Sequence, residues 1–482
     1  MQRQPGIAQT GQPAVPHHPP AIRGRAGLIG GLAALSGILF GLDTGVMSGA
    51  LDLIAQEFIL SDLQRESIVA IMLLGAALGV LAAAWLSHTW GRKRTLVLTA
   101  GLFVIGPLMC AEASSFGMLL FARLLLGVAT GATTFTTPLY IAEIADSGRR
   151  GAMILGYQLM ISCGLLAAFV SDGLFSYFGV WRWMLGIVGF PGLVFMMGVM
   201  FLPPSPRWLL AQGRERDARR VLIELRGLPR LVMAERNAIM ARLAARKDGI
   251  GNFMNDPNCR RAMWLAVGLQ VAQQFSGINA VLYYAPYIIG LVGYSHYMQV
   301  WGPVGVGVIN LLSTCVATFW VDRIGRRPML IGGFAVMALA MAGQAMILAG
   351  GVPPMPGLRL LMGVCMLVFV AAFAFSAGPL AWLLCAEILP LRGREFGMAC
   401  STCANWIANM VVSATFLTGL EVLGAGRVLW VYAALNATFM LMVALRVPET
   451  RGMTLEQIEA ELMRGTKLRA LGCNASPEKR QT

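Results

Sequence analysis

A chain of 482 residues that is 57% hydrophobic and only 13% charged, with a mean hydropathy of +0.66, lacks the polar cover a soluble protein of this size needs. That composition excludes a set of soluble domains and admits about a dozen bilayer-spanning helices of ~20 residues each. The formal net charge of +14, from 38 Lys+Arg against 24 Asp+Glu, would also suit a nucleic-acid binder. The bases, however, gather in short segments between apolar runs, the pattern of cytoplasmic loops, so no nucleic-acid partner is expected.

Residues 1–26, rich in Pro, Gln and Gly, read as a disordered cytoplasmic tail. The apolar run that follows is too long for a signal-peptide core and contains Asp43, so it reads as a first transmembrane helix rather than a cleaved leader. Residues 27–202 then hold five more spans, near 67–87, 95–112, 117–142, 152–172 and 181–201. The stretch 203–261 is the one long polar segment, with thirteen Lys/Arg against six Asp/Glu, so it carries +7. Arg214–Leu225 puts Ala218, Val221, Leu222 and Leu225 on one helical face. That face fits short amphipathic helices lying on the membrane surface, and the segment equally fits a solvated linker. A second six-span unit occupies 262–447, with spans near 262–290, 301–320, 328–350, 358–388, 396–420 and 427–447, and 448–482 form a second cytoplasmic tail. The basic clusters Arg92-Lys93-Arg94 and Arg326-Arg327 alternate with loops poor in bases, 51–66 being mainly acidic and 289–300 uncharged, which puts both termini in the cytoplasm. The expected class is an all-α integral membrane protein of twelve transmembrane helices in two six-helix bundles.

The halves repeat one another. Gly91-Arg92-Lys93 returns as Gly325-Arg326-Arg327, and Ala142-Glu143-Ile144 as Ala386-Glu387-Ile388, each Glu followed seven residues on by an arginine, Arg150 and Arg394. Pro203-Pro204-Ser205-Pro206-Arg207 pairs with Pro448-Glu449-Thr450-Arg451. Three matches in one order at a near-constant offset indicate duplication, and a duplicated unit with a site between its halves is transporter architecture.

Two charges stand well inside predicted spans, Asp43 and Arg123. An ionised group at mid-bilayer costs ~2.5–3.5 kcal/mol on insertion scales, so it has a partner or a task. They fit a structural ion pair, or a proton carrier in which protonation of Asp43 weakens the pair. All four histidines lie in the tail or loops, which leaves Asp43 as the candidate carrier. The seventh span opens with Gln270, Gln273 and Gln274, on one face with Gly277, followed by Asn279 and Tyr283-Tyr284. A break at Gly277 would turn Asn279 and the tyrosines toward a cavity. Primary amides both donate and accept, which suits a neutral polyhydroxyl ligand, and they also serve as hydrogen-bond glue between helices. Gln158, Asn310, Asn405, Asn409 and Trp382, the last after Gly378-Pro379, add polar and aromatic groups of the kind that bind sugar rings. Nine cysteines, several in apolar runs, read as small buried hydrophobes. No metal-protease helix, phosphate loop or nucleophile elbow is present, so the chain does not read as an enzyme or an ATP-driven pump.

Taken together, Phe40-Gly-Leu-Asp-Thr-Gly45, Gln273-Gln-Phe-Ser-Gly-Ile-Asn279, Asp322-Arg-Ile-Gly-Arg-Arg327, Gly378-Pro-Leu-Ala-Trp382 and Pro448-Glu-Thr-Arg451 are highly specific. Across about 36–470 the chain resembles the sugar porters of the major facilitator superfamily, and within them the bacterial galactose–proton and arabinose–proton symporters. The resemblance implies alternating access in a bacterial inner membrane, with a monosaccharide as substrate, the proton as coupling ion, no cofactor or metal, and a monomeric protein. It assigns proton coupling to Asp43 and Arg123. Sugar contact falls to Gln158, Gln273, Gln274, Asn279, Asn310, Trp382 and Asn405, with Phe40 and Tyr283 flanking the cavity. Arg92, Glu143, Arg150, Arg326, Glu387 and Arg394 match a cytoplasmic charge network that latches one state. Two departures unbalance that latch: His88 stands where the second half has Asp322, and Pro204 where it has Glu449. The expected activity is uptake of a hexose or arabinose with a proton; a passive facilitator and a sugar receptor are the alternatives, and a drug–proton antiporter is disfavoured by the amides.

Overall fold

The structure, a computed structural model, describes residues 20–144, 150–245, 250–349, 355–390, 393–453 and 455–471, and every regular element among them is helical. The first half comprises α1 (Pro20–Phe58), α2 (Asp62–Thr89), α3 (Arg92–Ala111), α4 (Phe116–Ile144), α5 (Arg150–Ser176), α6 (Trp181–Gly186) and α7 (Gly189–Met200). Four shorter helices follow, α8 (Pro206–Ala211), α9 (Glu215–Arg226), α10 (Pro229–Ala245) and α11 (Ile250–Asn255). The second half runs through α12 (Pro257–Phe275), α13 (Ile278–Tyr283), α14 (Ala285–Leu291), α15 (His296–Ile324), α16 (Arg326–Leu348), α17 (Pro356–Phe375), α18 (Ala377–Ile388), α19 (Arg394–Leu423) and α20 (Ala425–Arg446), then α21 (Leu455–Met463).

Eleven helical segments among the described residues are long and apolar enough to cross a bilayer. The seventh expected span is not one of them, because it is broken into α12, α13 and α14. Gly277, at φ +93°, breaks it in a backbone region that costs a side chain dearly. A second interruption at Tyr284 precedes Pro286. The tenth span also breaks, at Ser376, and Pro379 sits in the first turn of α18, where its missing N–H costs nothing. The first helix starts at Pro20, inside the stretch read as tail.

Local chemistry sets the other boundaries. Ser61 caps α2 with its hydroxyl on the Gln64 N–H while Gln64 reaches back to the Ser61 N–H, a reciprocal pair that satisfies two orphan donors. Between α2 and α4 the side chains vanish: a Cβ at Gly131 would lie 1.8 Å from the Ala76 carbonyl oxygen, and one at Gly127 1.9 Å from that of Met72. Small residues let the backbones approach and gain dispersion contact where lipid offers no hydrophobic drive. In the linker, Ala218, Val221, Leu222 and Leu225 of α9 are buried, and Arg226 ties it to the end of α4 through the Ile144 carbonyl at 3.2 Å and to Glu235 at 2.6 Å.

The helix pairings repeat between halves. In the first, α1 packs on α5, α2 on α4 and α3 on α7; in the second, α12 packs on α19, α15 on α17 and α16 on α20. The halves meet where α2 runs along α19 and α5 along α15, two contacts that exchange under the internal two-fold. The candidate site lies between them.

Candidate functional site

Arg123 on α4 donates through Nη1 to Asp43 Oδ1 on α1 at 2.8 Å, and both side chains are fully buried. Thr130, two turns further along α4, adds a longer hydroxyl contact to Asp43 Oδ2 at 3.4 Å. Arg123 Nη2 lies 3.0 Å from the Met72 thioether, a weak acceptor, and Nε has no partner. The guanidinium thus relies on one carboxylate for its compensation.

The amides of the second half gather into a closed network. Gln274 donates to Asn405 Oδ1 at 3.0 Å, and Asn405 Nδ2 points at Gln270 Oε1 at 2.6 Å and Gln273 Oε1 at 2.8 Å. Gln273 Nε2 in turn donates to the carbonyls of Ala377 and Gly378, 3.0 and 2.8 Å away, in the first turn of α18. Asn279 donates to Gln274 Oε1 across the Gly277 break, which cancels the half-turn separation these residues would have on a continuous helix. Four elements, α12, α13, α18 and α19, are joined by groups that a polyhydroxyl ligand can replace bond for bond.

The remaining expected residues surround this network unevenly. Tyr283 is buried with its hydroxyl directed at the side chains of Thr44 and Asn409, so it touches both halves. Asn310 is buried on α15, while Gln158 on α5 and Trp382 on α18 are half-buried. Phe40 meets a residue the sequence reading left out: Trp406, next to Asn405, packs edge-on at 5.4 Å between ring centroids. Trp406 is 1% exposed and its indole N–H has no partner. It is an unspent donor on the residue next to Asn405, under an aromatic from the other half, and a buried donor without a partner calls for an explanation. The available signal was its adjacency to Asn405; an isolated Trp in an apolar helix otherwise reads as packing.

Two more buried acids lie outside the sequence expectation, which put only Asp43 and Arg123 inside the spans. Asp172 on α5 is 4% exposed and accepts the Gly49 N–H of α1 at 3.0 Å. Glu66, read as part of an acidic loop, is 1% exposed on α2. Both stand at the edges of their apolar runs, where hydropathy cannot separate a loop acid from a buried one.

At the end of the bundles that carries the linker, Arg92 bonds Glu143 at 2.8 Å and reaches Glu395 of the other half at 2.7 Å. In the second half Arg326 pairs with Glu387 at 3.1 Å and Asp322 at 2.8 Å. Arg394 donates to the Leu389 carbonyl, and the side chain of Arg150 lies outside the described residues. The two departures from symmetry have physical content. Glu449 caps α16, its carboxylate accepting the N–H groups of Arg326 and Arg327 at 3.1 Å each, whereas α3 has no side-chain cap. His88 is exposed, and its carbonyl accepts the Trp208 indole at 2.9 Å while that ring covers Gly91. Pro204→Glu is therefore expected to supply the missing cap and stabilise the first half by about 1 kcal/mol, read as a higher melting midpoint in detergent. An unchanged midpoint would show that Trp208 leaves the acid no route to the helix end.

A family model described as sugar (and other) transporter matches residues 31–462. The galactose-proton symporter of Escherichia coli K12 is 48% identical over 92% of this chain and 96% of its own length. The arabinose-proton symporter of the same strain is 43% identical, over 91% and 94%. Among solved structures, the proton:xylose symporter XylE bound to 6-bromo-6-deoxy-D-glucose superimposes with a TM-score of 0.79 at 30% identity, covering 91% of this chain and 99% of that one. An inward open form of XylE from E. coli gives 0.76 at 30% identity, covering 90% and 99%. The buried ion pair, the broken helices and the amide network thus sit in a chain that belongs to the sugar (and other) transporter family.

Proposed function

We propose that this protein carries a monosaccharide, a hexose or arabinose, together with a proton across the bacterial cytoplasmic membrane by alternating access. It spans the bilayer twelve times, the broken α12–α14 unit being the seventh crossing, with both termini and the linker in the cytoplasm. It works as a monomer and needs no cofactor beyond the coupling proton.

The observation that carries this reading is the sealed Asp43–Arg123 pair together with a network of amides bonded to one another, to the first carbonyls of α18 and to the Cys385 thiol. In the closed form each amide is satisfied, so the empty site pays no penalty for being dry. Sugar hydroxyls, which donate and accept, take over these bonds one at a time, and the flat faces of Trp382 and Trp406 cover the ring's C–H surface. A proton on Asp43 removes the charge that holds Arg123, so the α1–α4 contact differs between loaded and unloaded states, and a difference in interaction is what a ligand needs to shift a conformational equilibrium. Support for the substrate class comes from relatives that are proton symporters of galactose and arabinose.

The second reading, a passive facilitator, is favoured by the same pair if Arg123 and Asp43 never part: their geometry, 2.8 Å with neither exposed, is that of a structural bridge. Adding sugar to de-energised cells separates the two. The expected result is alkalinisation of the medium as protons enter with sugar; sugar entry with no pH change would establish the facilitator.

A further inference from the structure

The two ends of the inter-bundle seam are closed by different chemistry. At the linker end Arg92 of α3 holds Glu395, the second residue of α19. At the opposite end of the same helix, Thr418 donates its backbone N–H to Glu66 Oε1 at 2.9 Å and its hydroxyl to Glu66 Oε2 at 2.6 Å. Glu66 belongs to α2, so the bond crosses between halves. Both carboxylate oxygens are used, the side chain is 1% exposed, and Glu66 forms no ion pair among the described residues. At the related seam between α5 and α15, the same end is closed by the Trp301 indole on the Tyr177 hydroxyl at 2.8 Å, an exposed contact. Of the two, only Glu66 is dry.

We propose that Glu66 and Thr418 form a pin of the outer mouth: the bond is made whenever that end is closed and is broken each time it opens. The physics favours two discrete positions. A buried carboxylate is tolerable when Thr418 satisfies it, and equally tolerable once the mouth opens and water replaces Thr418. Between those positions it has neither partner, so the intermediate separation is disfavoured and the seam behaves as a two-state element. Because α19 is held by Glu395 at one end and Thr418 at the other, weakening one end transfers population to the state in which the other end is closed. This rests on the alternating-access reading above, and it assigns to Glu66 and Thr418 a positioning role, with no contact to sugar or proton.

Hydrogen–deuterium exchange on the purified full chain tests it. In Glu66→Ala the ratio of outer-open to outer-closed molecules is expected to rise about tenfold, and in Thr418→Val, which keeps the shape and the N–H but loses the hydroxyl, about threefold. Exchange then increases in 59–68 and 412–424 while it decreases in 86–94 and 393–400, because the linker end is closed more of the time. Local loosening alone raises exchange near the substitution and leaves the far end unchanged, and that result overturns the pin. If Glu66→Ala does not fold, Thr418→Val decides by the same two segments. Wild-type sugar counterflow runs beside it: its absence refutes the transport reading, whereas counterflow with no opposed change in exchange refutes the pin alone.

Discussion

Asp43→Asn is expected to abolish uphill sugar accumulation in energised vesicles while leaving part of the sugar counterflow. Asparagine keeps the shape and one acceptor for Arg123 but takes no proton in exchange, so sugar movement is cut loose from the proton gradient. The substitution also strands the Arg123 guanidinium, whose other contacts are a thioether and an unpartnered Nε. Removing one partner of a buried pair costs about 3–5 kcal/mol, so lower expression and slower counterflow follow as well. That cost blurs coupling with folding, and the double variant Asp43→Asn/Arg123→Gln removes the ambiguity. Deleting both charges together is close to neutral for a buried pair, so expression and counterflow recover in the double variant and accumulation does not. Recovered accumulation in either variant would show that the pair is a bridge holding α1 to α4 and that the proton travels elsewhere.

The fold was legible because its signals are local and repeated. Apolar runs, base-rich loops and the doubled Gly-Arg and Ala-Glu-Ile motifs each depend only on neighbours in sequence, and they yielded the two-bundle plan. The break at Gly277 was legible for the same reason, since a glycine inside an apolar run, with Asn279 two residues on and Pro286 beyond, marks a place where backbone conformation can change, and the structure puts Asn279 back beside Gln274. What sequence could not supply was depth. Glu66 and Asp172 sit at the margins of apolar runs, and whether such an acid meets water is decided by the helix packed over it, α19 for one and α1 for the other. Trp406 was hidden in the same way: its burial and its contact with Phe40 join residues far apart in the chain and in different halves. The break before α18 falls at Ser376, and Pro379 is part of the helix that follows, since the first turn of a helix tolerates a proline.

Asn405→Ala is expected to weaken sugar binding by at least tenfold, more than any other single amide in the cluster, because Asn405 is its hub. Its side chain meets Gln270, Gln273 and Gln274 at once, while Gln273 also has the carbonyls of α18 and Gln274 also has Asn279. Truncation leaves three glutamine amides short of a partner in a dry site, at about 1–3 kcal/mol for each group left unsatisfied. The sugar-free protein therefore melts lower whether the network is a binding site or only glue between helices. The two roles part on adding sugar. In a binding site, the wild type gains stability as sugar occupies the amides, since a ligand that binds only the folded form adds RT ln(1 + [L]/Kd). The variant then gains much less at the same sugar concentration. If the amides are glue, both proteins start from different midpoints and rise by the same amount. A melting series of each protein across galactose, glucose and arabinose reads that difference directly. The same series ranks the sugars, because an acceptor or donor mismatched to one hydroxyl leaves a buried amide unpaired and costs more than a poor apolar fit.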